Sequence, residues 1–122
     1  IPGVEHRPVL LYTAGVAAER ITAYQLMKLL SEQPARLFGM YPAKGALSVG
    51  SDADVVIYDP NSTDRITSAG QHQNVDYTPY EGMETAGRIH MVLLSGEVAV
   101  DCGSVVLPNR GFVRRGPSGF WR

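Results

Sequence analysis

Histidine and cysteine side chains are the first candidates for metal or nucleophilic chemistry in this chain. The three histidines, His6, His72 and His90, stand far apart, and no His-x-His or His-x-x-x-His spacing occurs. The sequence therefore indicates no metal centre built from neighbouring ligands. We interpret His72 and His90 as surface or packing residues, with a functional contact as the alternative for each.

Cys102, Asp52 and Asp54 are the remaining residues that could carry catalysis. Cys102 lies in the turn-like sequence DCGS and has no histidine near it in sequence, so a turn residue is favoured over a nucleophile. Asp52 and Asp54 could form a general acid and base pair, but turn and strand-end roles are favoured at their position. The sequence thus predicts no catalytic, substrate-binding or metal-binding residue within the chain.

Residues 108–122 combine cations with aromatic rings and are rich in Gly and Pro, which predicts an extended tail. The residues concerned are Arg110, Phe112, Arg114, Arg115, Phe120, Trp121 and Arg122. Such interleaving suits single-stranded nucleic acid. The formal net charge of −1, from 11 basic and 12 acidic residues, argues against that partner.

Bulk properties place the chain among folded, intracellular proteins. Its 122 residues, 44% of them apolar, can build a core. A single cysteine excludes an intrachain disulfide and favours the cytoplasm, and no apolar run reaches the length of a membrane helix. The start, IPG, has neither an initiator Met nor a signal pattern, so we expect a piece of a longer protein.

The first third of the chain has helical patterning. Pro8 in a first turn and Gly15 as a weak point or stop predict a helix over residues 5–16. Thr22 and Gln25 have the spacing of a capping box and predict a second helix over residues 23–31.

A third short helix is predicted with Ser31 as its cap, Pro34 in its first turn and Gly39 as its stop. Three helices in a row followed by strands would be unusual for a self-contained fold, because the helices have no sheet of their own to cover. We therefore expect them to belong to a neighbouring layer.

Short β-branched runs follow the helices. Residues 54–59 predict a buried strand that ends at the breaker Asp59-Pro60. Residues 91–95, 97–100 and 105–107 predict an antiparallel meander. Residues 71–88 show no clear period, which indicates a loop with at most one turn of helix.

Four segments carry a resemblance to a known family. The sequence KGALSVGSDADVVIYD at residues 44–59 resembles the signature of metal-dependent amidohydrolases. ARLFGMYP at residues 35–42, IPGVEHR at residues 1–7 and VDYTPYEGM at residues 75–83 are similar to segments of the dihydropyrimidinase and hydantoinase branch. His6 departs from the branch, which more often has Asp or Asn at that position.

The resemblance implies an α+β fragment. Residues 1–42 would be the terminal helices of a (β/α)8 amidohydrolase barrel, and residues 43–107 would be strands of the accompanying β-sandwich with an insertion at residues 71–88. Residues 108–122 would form an extended tail at a subunit interface of a homo-oligomer, such as a tetramer.

The resemblance also implies an activity for the full-length parent. That parent would hydrolyse the ring amide of dihydropyrimidines or hydantoins to N-carbamoyl amino acids. It would use two zinc ions held by a His-x-His pair, a carboxylated Lys, two further His and an Asp. All of these residues, and a substrate-contacting Asn, would precede Ile1. The chain alone is therefore expected to bind no zinc and to be inactive.

Two alternatives remain open from the sequence. Scaffold proteins similar to collapsin-response mediators share this carboxyl-terminal pattern without the metal ligands. Another cyclic amidohydrolase, an allantoinase or a dihydroorotase, is the second alternative. The segment at residues 77–83 favours the dihydropyrimidinase branch over the latter.

Overall fold

The computed structural model describes residues 2–106, which form a helical region followed by an antiparallel sheet. The helices are α1 (Arg7–Leu11), α2 (Ala23–Met27) and α3 (Gln33–Leu37), and the strands are β1 (Val55–Arg65), β2 (Glu84–Leu94), β3 (Glu97–Asp101) and β4 (Ser104–Val105). Wider π-helical turns follow α1 over Tyr12–Ala17 and follow α2 over Lys28–Glu32.

Helix α1 begins with Pro8 in its first turn, as the sequence predicted, but starts at Arg7 instead of residue 5. Gly15 does not stop the helical region, because π-helical turns continue to Ala17, but it lies where the α-helix has given way to these wider turns. Gly15 instead allows a close contact, since a Cβ there would lie 3.0 Å from the side chain of Ile21. The absence of a side chain at Gly15 therefore permits close packing of Ile21.

The capping box before α2 is confirmed: the Gln25 amide donates to the Thr22 hydroxyl at 3.2 Å, and the Thr22 amide donates to the Gln25 side chain at 2.8 Å.

The predicted cap at Ser31 is wrong, because residues 23–37 stay helical. Pro34 lacks an N–H and would crowd the carbonyl four residues earlier. The preceding turn is widened into a π-helix, in which the Gln33 amide donates to the Lys28 carbonyl. The helical region ends near Gly39, at φ 66°.

Strand β1 is longer and more exposed than the sequence predicted. It spans Val55–Arg65, so Asp59-Pro60 does not end it. Because β1 is an edge strand in the order β1-β2-β3-β4, a residue without an N–H is tolerated there. The prediction of a buried strand is also wrong, since Val56 and Ile57 are 57% and 43% exposed.

Strands β2, β3 and β4 form the predicted antiparallel meander. Ser95 (φ 52°) and Gly96 (φ 83°) provide the paired positive φ values of a tight hairpin turn. The register shifts after Val92, which pairs with Val100 while Leu93 pairs with Val98. Strand β2 begins at Glu84, so the predicted loop at residues 71–88 ends earlier, and its described residues contain no helical turn.

Contacts group the chain into two units, of which unit 1 comprises Ile1–Leu26 and Tyr58–Arg88. Within it, the Thr13 hydroxyl donates to the Val9 carbonyl at 2.7 Å and accepts from the Ala86 amide at 3.0 Å. The Tyr58 hydroxyl donates to the Ala86 carbonyl at 2.7 Å, and its ring lies 4.4 Å from that of Tyr12. The helix that begins at Arg7 is thus fastened to the strands by both polar and aromatic contacts.

Unit 2 comprises Met27–Ile57 and Ile89–Arg122. Its buried apolar residues among those described are Ala35 at 3% exposure and Ala99 at 4%. Gly45, at φ 78°, passes so close to α3 that a Cβ would lie 2.5 Å from the Cβ of Ala35 and 2.9 Å from the Ser31 carbonyl. The backbone of the KGALSVG segment therefore packs directly on the helix.

Candidate functional site

The most connected polar site of unit 1 joins the start of the chain to the loop before β2. The Gly3 amide donates to the Gln73 side chain at 3.0 Å, across 70 positions of sequence. The Glu5 carboxylate accepts the His72 amide at 2.8 Å and contacts the His72 ring nitrogen Nδ1 at 2.7 Å. We call Gly3, Glu5, His72 and Gln73 the polar clamp.

The loop that carries His72 and Gln73 is itself ordered by a neighbouring glutamine. The Gln71 amide group donates to the carbonyls of Val75 and Tyr77 at 2.8 and 3.1 Å. Its oxygen accepts a long hydrogen bond of 3.5 Å from the Gln73 side chain. Gln71 therefore closes the turn and helps to orient the Gln73 oxygen toward Gly3.

Tyr80 packs beside the polar clamp. A Cβ built on Gly3 would lie 3.4 Å from Cε2 of the Tyr80 ring, which shows how closely the ring approaches this backbone. The same ring meets His6 edge to face, with centroids 6.1 Å apart. Tyr80 therefore connects the IPGVEHR and VDYTPYEGM segments, two of the three that resemble the dihydropyrimidinase and hydantoinase branch.

Electrostatics favours an ionised Glu5 in the polar clamp. Partial burial raises the pKa of the Glu5 carboxyl, but hydrogen bonds from the ring and backbone of His72 outweigh it, so the pKa lies below its ordinary value of 4.5. The His72 side chain is 52% exposed and that of Glu5 is 31% exposed. Water screens such a pair, which contributes only about 0–1 kcal/mol to stability.

His6 is the most buried of the three histidines, at 7% exposure. Its Nδ1 has no hydrogen-bond partner among the residues described. A buried polar atom without a partner costs free energy, so burial of this nitrogen is unfavourable within the described part of the chain.

An open groove of about 490 Å³ lies beside the polar clamp in unit 1. It is lined by Pro2, Gly3, Val4, Arg7, Leu10, Leu11 and Tyr80. The residues of this lining include Arg7 and Tyr80, whose side chains carry polar groups, beside apolar side chains and a glycine, so the groove is of mixed polarity.

His72 has a more definite role than sequence reasoning assigned to it. The sequence favoured a surface or packing histidine, and the ring is indeed half exposed, but it also binds Glu5. No local pattern signals this contact, because its partner is 67 positions away.

His90 and Cys102 form a second pair that the sequence did not predict. His90 lies on β2 and Cys102 lies in the β3–β4 turn, where antiparallel pairing brings the Cys102 sulfur to 3.6 Å from His90 Nδ1. The Cys102 amide also donates to the His90 carbonyl at 2.8 Å. Cys102 is exposed and adopts φ 47°, so it is the turn residue that the sequence favoured, with an imidazole beside it.

Asp52 and Asp54 form an ion cluster with Lys44. The Lys44 ammonium lies 2.9 Å from the Asp52 carboxylate and also contacts that of Asp54. Lys44 holds the pKa of the Asp54 carboxyl below its usual value, against the effect of partial burial and with help from the Ser95 amide. The Ser95 amide donates to Asp54 at 2.9 Å, so the Lys44 cluster also holds the β2–β3 turn.

The tail residues named above, from Arg110 to Arg122, lie outside the described residues. Within residues 2–106, no three His, Cys, Asp or Glu side chains converge to hold a metal ion. In the same range, no helix is both long and apolar enough to cross a membrane.

Comparison with known proteins gives a consistent family likeness. Residues 4–99 match the amidohydrolase family model. The chain is 43% identical over 120 residues to D-phenylhydantoinase of Escherichia coli (strain K12 / DH10B), an alignment that covers 96% of this chain and 26% of the relative.

Solved structures agree with the sequence comparison. D-hydantoinase (dihydropyrimidinase) from Thermus sp. superposes with a TM-score of 0.84 at 41% identity, over 98% of this chain and 24% of that one. Dihydropyrimidinase from Brevibacillus agri gives a TM-score of 0.79 at 39% identity, over 81% and 22%. The chain thus spans about a quarter of the length of the relatives it matches.

Proposed function

Because the chain belongs to the amidohydrolase family, we propose that it is the carboxyl-terminal part of a metal-dependent cyclic amidohydrolase. The full-length parent hydrolyses the ring amide C–N bond of dihydropyrimidines or hydantoins and releases N-carbamoyl amino acids. The observation that carries this proposal is the 43% identity to D-phenylhydantoinase across 96% of the chain. The likeness to hydantoinase and dihydropyrimidinase structures supports the same substrate class.

The described residues do not provide a set of ligands for the two zinc ions proposed for the parent. The Glu5 carboxylate is occupied by His72, and those of Asp52 and Asp54 by Lys44. A catalytic zinc needs three protein ligands around one point, and no such group is present in residues 2–106. In this proposal the zinc ligands belong to the preceding part of the parent, as the family resemblance implies, and this chain alone is inactive.

In the parent, residues 1–42 provide terminal helices of the barrel and residues 43–107 provide strands of the β-sandwich, with an insertion at residues 71–88. Exposed apolar side chains in both segments support this division: Leu29 is 56% exposed, Val56 is 57% exposed and Leu47 is 82% exposed. Surfaces of this kind are expected where a further layer of the parent packs.

A substrate-contacting Asn lies just before Ile1 in the parent, in this proposal. The family resemblance of IPGVEHR supports this placement, and the polar clamp gives the segment a fixed point of attachment at Gly3 and Glu5. The chain thus has a supporting role at the edge of the active site.

The parent is a cytoplasmic homo-oligomer in this proposal, with residues 108–122 at a subunit interface. Arg and aromatic side chains are typical of such interfaces. Removal of residues 108–122 from the full-length parent is expected to dissociate the oligomer, which light scattering would detect. A truncated parent that keeps its native mass would contradict the interface role.

The activity is tested on the purified full-length parent. We expect about two zinc ions per chain, measured by elemental analysis, and hydrolysis of dihydrouracil or hydantoin with release of an N-carbamoyl amino acid. A parent that binds zinc yet leaves both substrates untouched would contradict the substrate assignment. A parent without a His-x-His pair and without zinc would instead support the scaffold alternative.

A further inference from the structure

The polar clamp attaches the start of the chain in two distinct ways. Gln73 accepts from the Gly3 backbone, which fixes the position of the main chain. His72 binds both oxygens of Glu5, one through its amide and one through its ring, which fixes the carboxylate in position and rotation. Together these bonds determine where the backbone of residues 3–5 lies.

Apolar packing reinforces the same segment. Pro2 is buried, and the Tyr80 ring lies against Gly3 and meets His6. Helix α1 then begins at Arg7, directly after the segment. The contacts made by residues 72, 73 and 80 converge on residues 3–6, although these two parts of the chain are far apart in the sequence.

We propose that His72 and Gln73 are positioning residues for ring opening in the full-length parent. They act through Gly3 and Glu5 on the part of the parent that precedes Ile1, where the proposed function places a substrate-contacting Asn. This inference rests on the proposed function. The effect on kcat/KM can exceed the strength of the bonds themselves, because a displacement of 1 Å in an active site can lower the catalytic efficiency about 100-fold.

The effect should appear in substrate binding more than in chemistry. The segment before Ile1 binds the substrate, whereas bond cleavage depends on the metal centre. A loosened segment weakens binding in the ground state and the transition state alike, which raises KM with little change in kcat. A variant that merely unfolds part of the enzyme lowers the active fraction, so kcat falls while KM is unchanged.

The test uses the full-length parent with dihydrouracil or hydantoin as substrate. In His72→Ala and Gln73→Ala we expect KM to rise about 10-fold, with kcat changed less than about twofold. His72→Asn should recover most of the loss, because its side-chain nitrogen can donate to Glu5 from nearly the same position as Nδ1. Asn74→Ala, an exposed position in the same loop, is the matched control and should keep the wild-type KM.

Amide hydrogen exchange provides a second measurement that does not depend on activity. The Gly3 amide should exchange faster in Gln73→Ala than in the wild-type parent, because its acceptor is removed. Should His72→Ala fail to fold, Gln73→Ala tests the same inference through Gly3 alone.

Two outcomes separate this inference from the proposed function. An active parent in which both alanine variants keep the wild-type KM, or in which kcat alone falls, overturns the positioning role only. A wild-type parent that hydrolyses neither substrate overturns the proposed function and the positioning role with it.

Discussion

The polar clamp of unit 1 and the Lys44 cluster of unit 2 both tie distant backbone segments together through charged groups, but they do so differently. In the Lys44 cluster one ammonium is shared by two carboxylates, and Asp54 also holds the Ser95 amide. In the polar clamp one carboxylate is shared by the ring and backbone of a single histidine.

The Lys44 cluster and the polar clamp also differ in the packing and solvent exposure of their surroundings. The Lys44 cluster is adjacent to Gly45, whose backbone packs on α3 without room for a side chain. The polar clamp joins an exposed loop to the segment before α1 and is open to water, with His72 52% exposed. The Lys44 cluster therefore stabilises the fold of unit 2, whereas the polar clamp mainly fixes the position of residues 3–5.

Gly45→Ala should have the largest effect on stability. The new Cβ would lie 2.5 Å from Ala35 Cβ and 2.9 Å from the Ser31 carbonyl, at φ 78°. We expect a loss of about 2–4 kcal/mol in the free energy of unfolding, from backbone strain and overpacking. Urea unfolding of the chain, followed by circular dichroism, measures the loss.

Gly50→Ala is the matched control for this prediction. Gly50 has φ 94° with open space around it, so the substitution should cost only the backbone term, about 1–2 kcal/mol. Equal losses at the two glycines would mean that close packing on α3 contributes nothing.

Lys44→Met should have an intermediate effect, about 1 kcal/mol at pH 7, because the Asp52 and Asp54 carboxylates lose their shared cation. Since the folded pKa of Asp54 lies below its usual 3.8, the stabilisation is present above that pH and is lost as the pH falls through the folded pKa. The difference in urea midpoint between Lys44→Met and the wild type should therefore be smaller at pH 3 than at pH 7. Arg20→Met, at an exposed position, should change neither midpoint.

Glu5→Gln should have a smaller effect, about 0.5 kcal/mol or less at pH 7, because its partner His72 is half exposed. The folded pKa of Glu5 lies below 4.5, so this contribution is present above pH 4.5 and disappears as the pH falls through the folded pKa. Thermal melts from pH 7 to pH 3 measure it, with Asp76→Asn as the exposed control. A loss above about 2 kcal/mol in the free energy of unfolding at pH 7 would show that the polar clamp also stabilises the fold, and it would remove the contrast with the Lys44 cluster.

Cys102→Ser should have the smallest effect. The serine hydroxyl can occupy the place of the sulfur beside His90 in an exposed turn. We expect a change within about 0.5 kcal/mol, as for most surface substitutions. Urea unfolding of the two proteins side by side tests this, and a loss above about 1 kcal/mol would show that the Cys102–His90 contact supports the sheet.

Local chemistry was predictable where all partners are close in sequence. The capping box of Thr22 and Gln25 depends on atoms three residues apart, and it forms as expected. The turn in the DCGS segment was also predicted, because glycine accepts the positive φ that such turns require.

Predictions failed where tertiary context decides. Pro60 breaks a central strand but is tolerated at the sheet edge, and strand order is a property of the whole sheet. Ser31 indicated a helix cap, yet a widened turn carries the helix through it, and α3 begins at Gln33 with Pro34 in its first turn as predicted. In each case the residue permits two structures, and contacts elsewhere select one.

The sequence by itself determined the family likeness, the helical first third, the capping box and the antiparallel meander, since these depend on short-range patterns of residue type. Only the tertiary structure decided that His72 binds Glu5, that Gln73 holds Gly3 and that His90 lies beside Cys102. These partners are 67, 70 and 12 positions apart. A hydrogen bond or ion pair acts over a few ångströms of space and leaves no periodic trace along the chain, so such contacts are defined only once the fold brings the segments together.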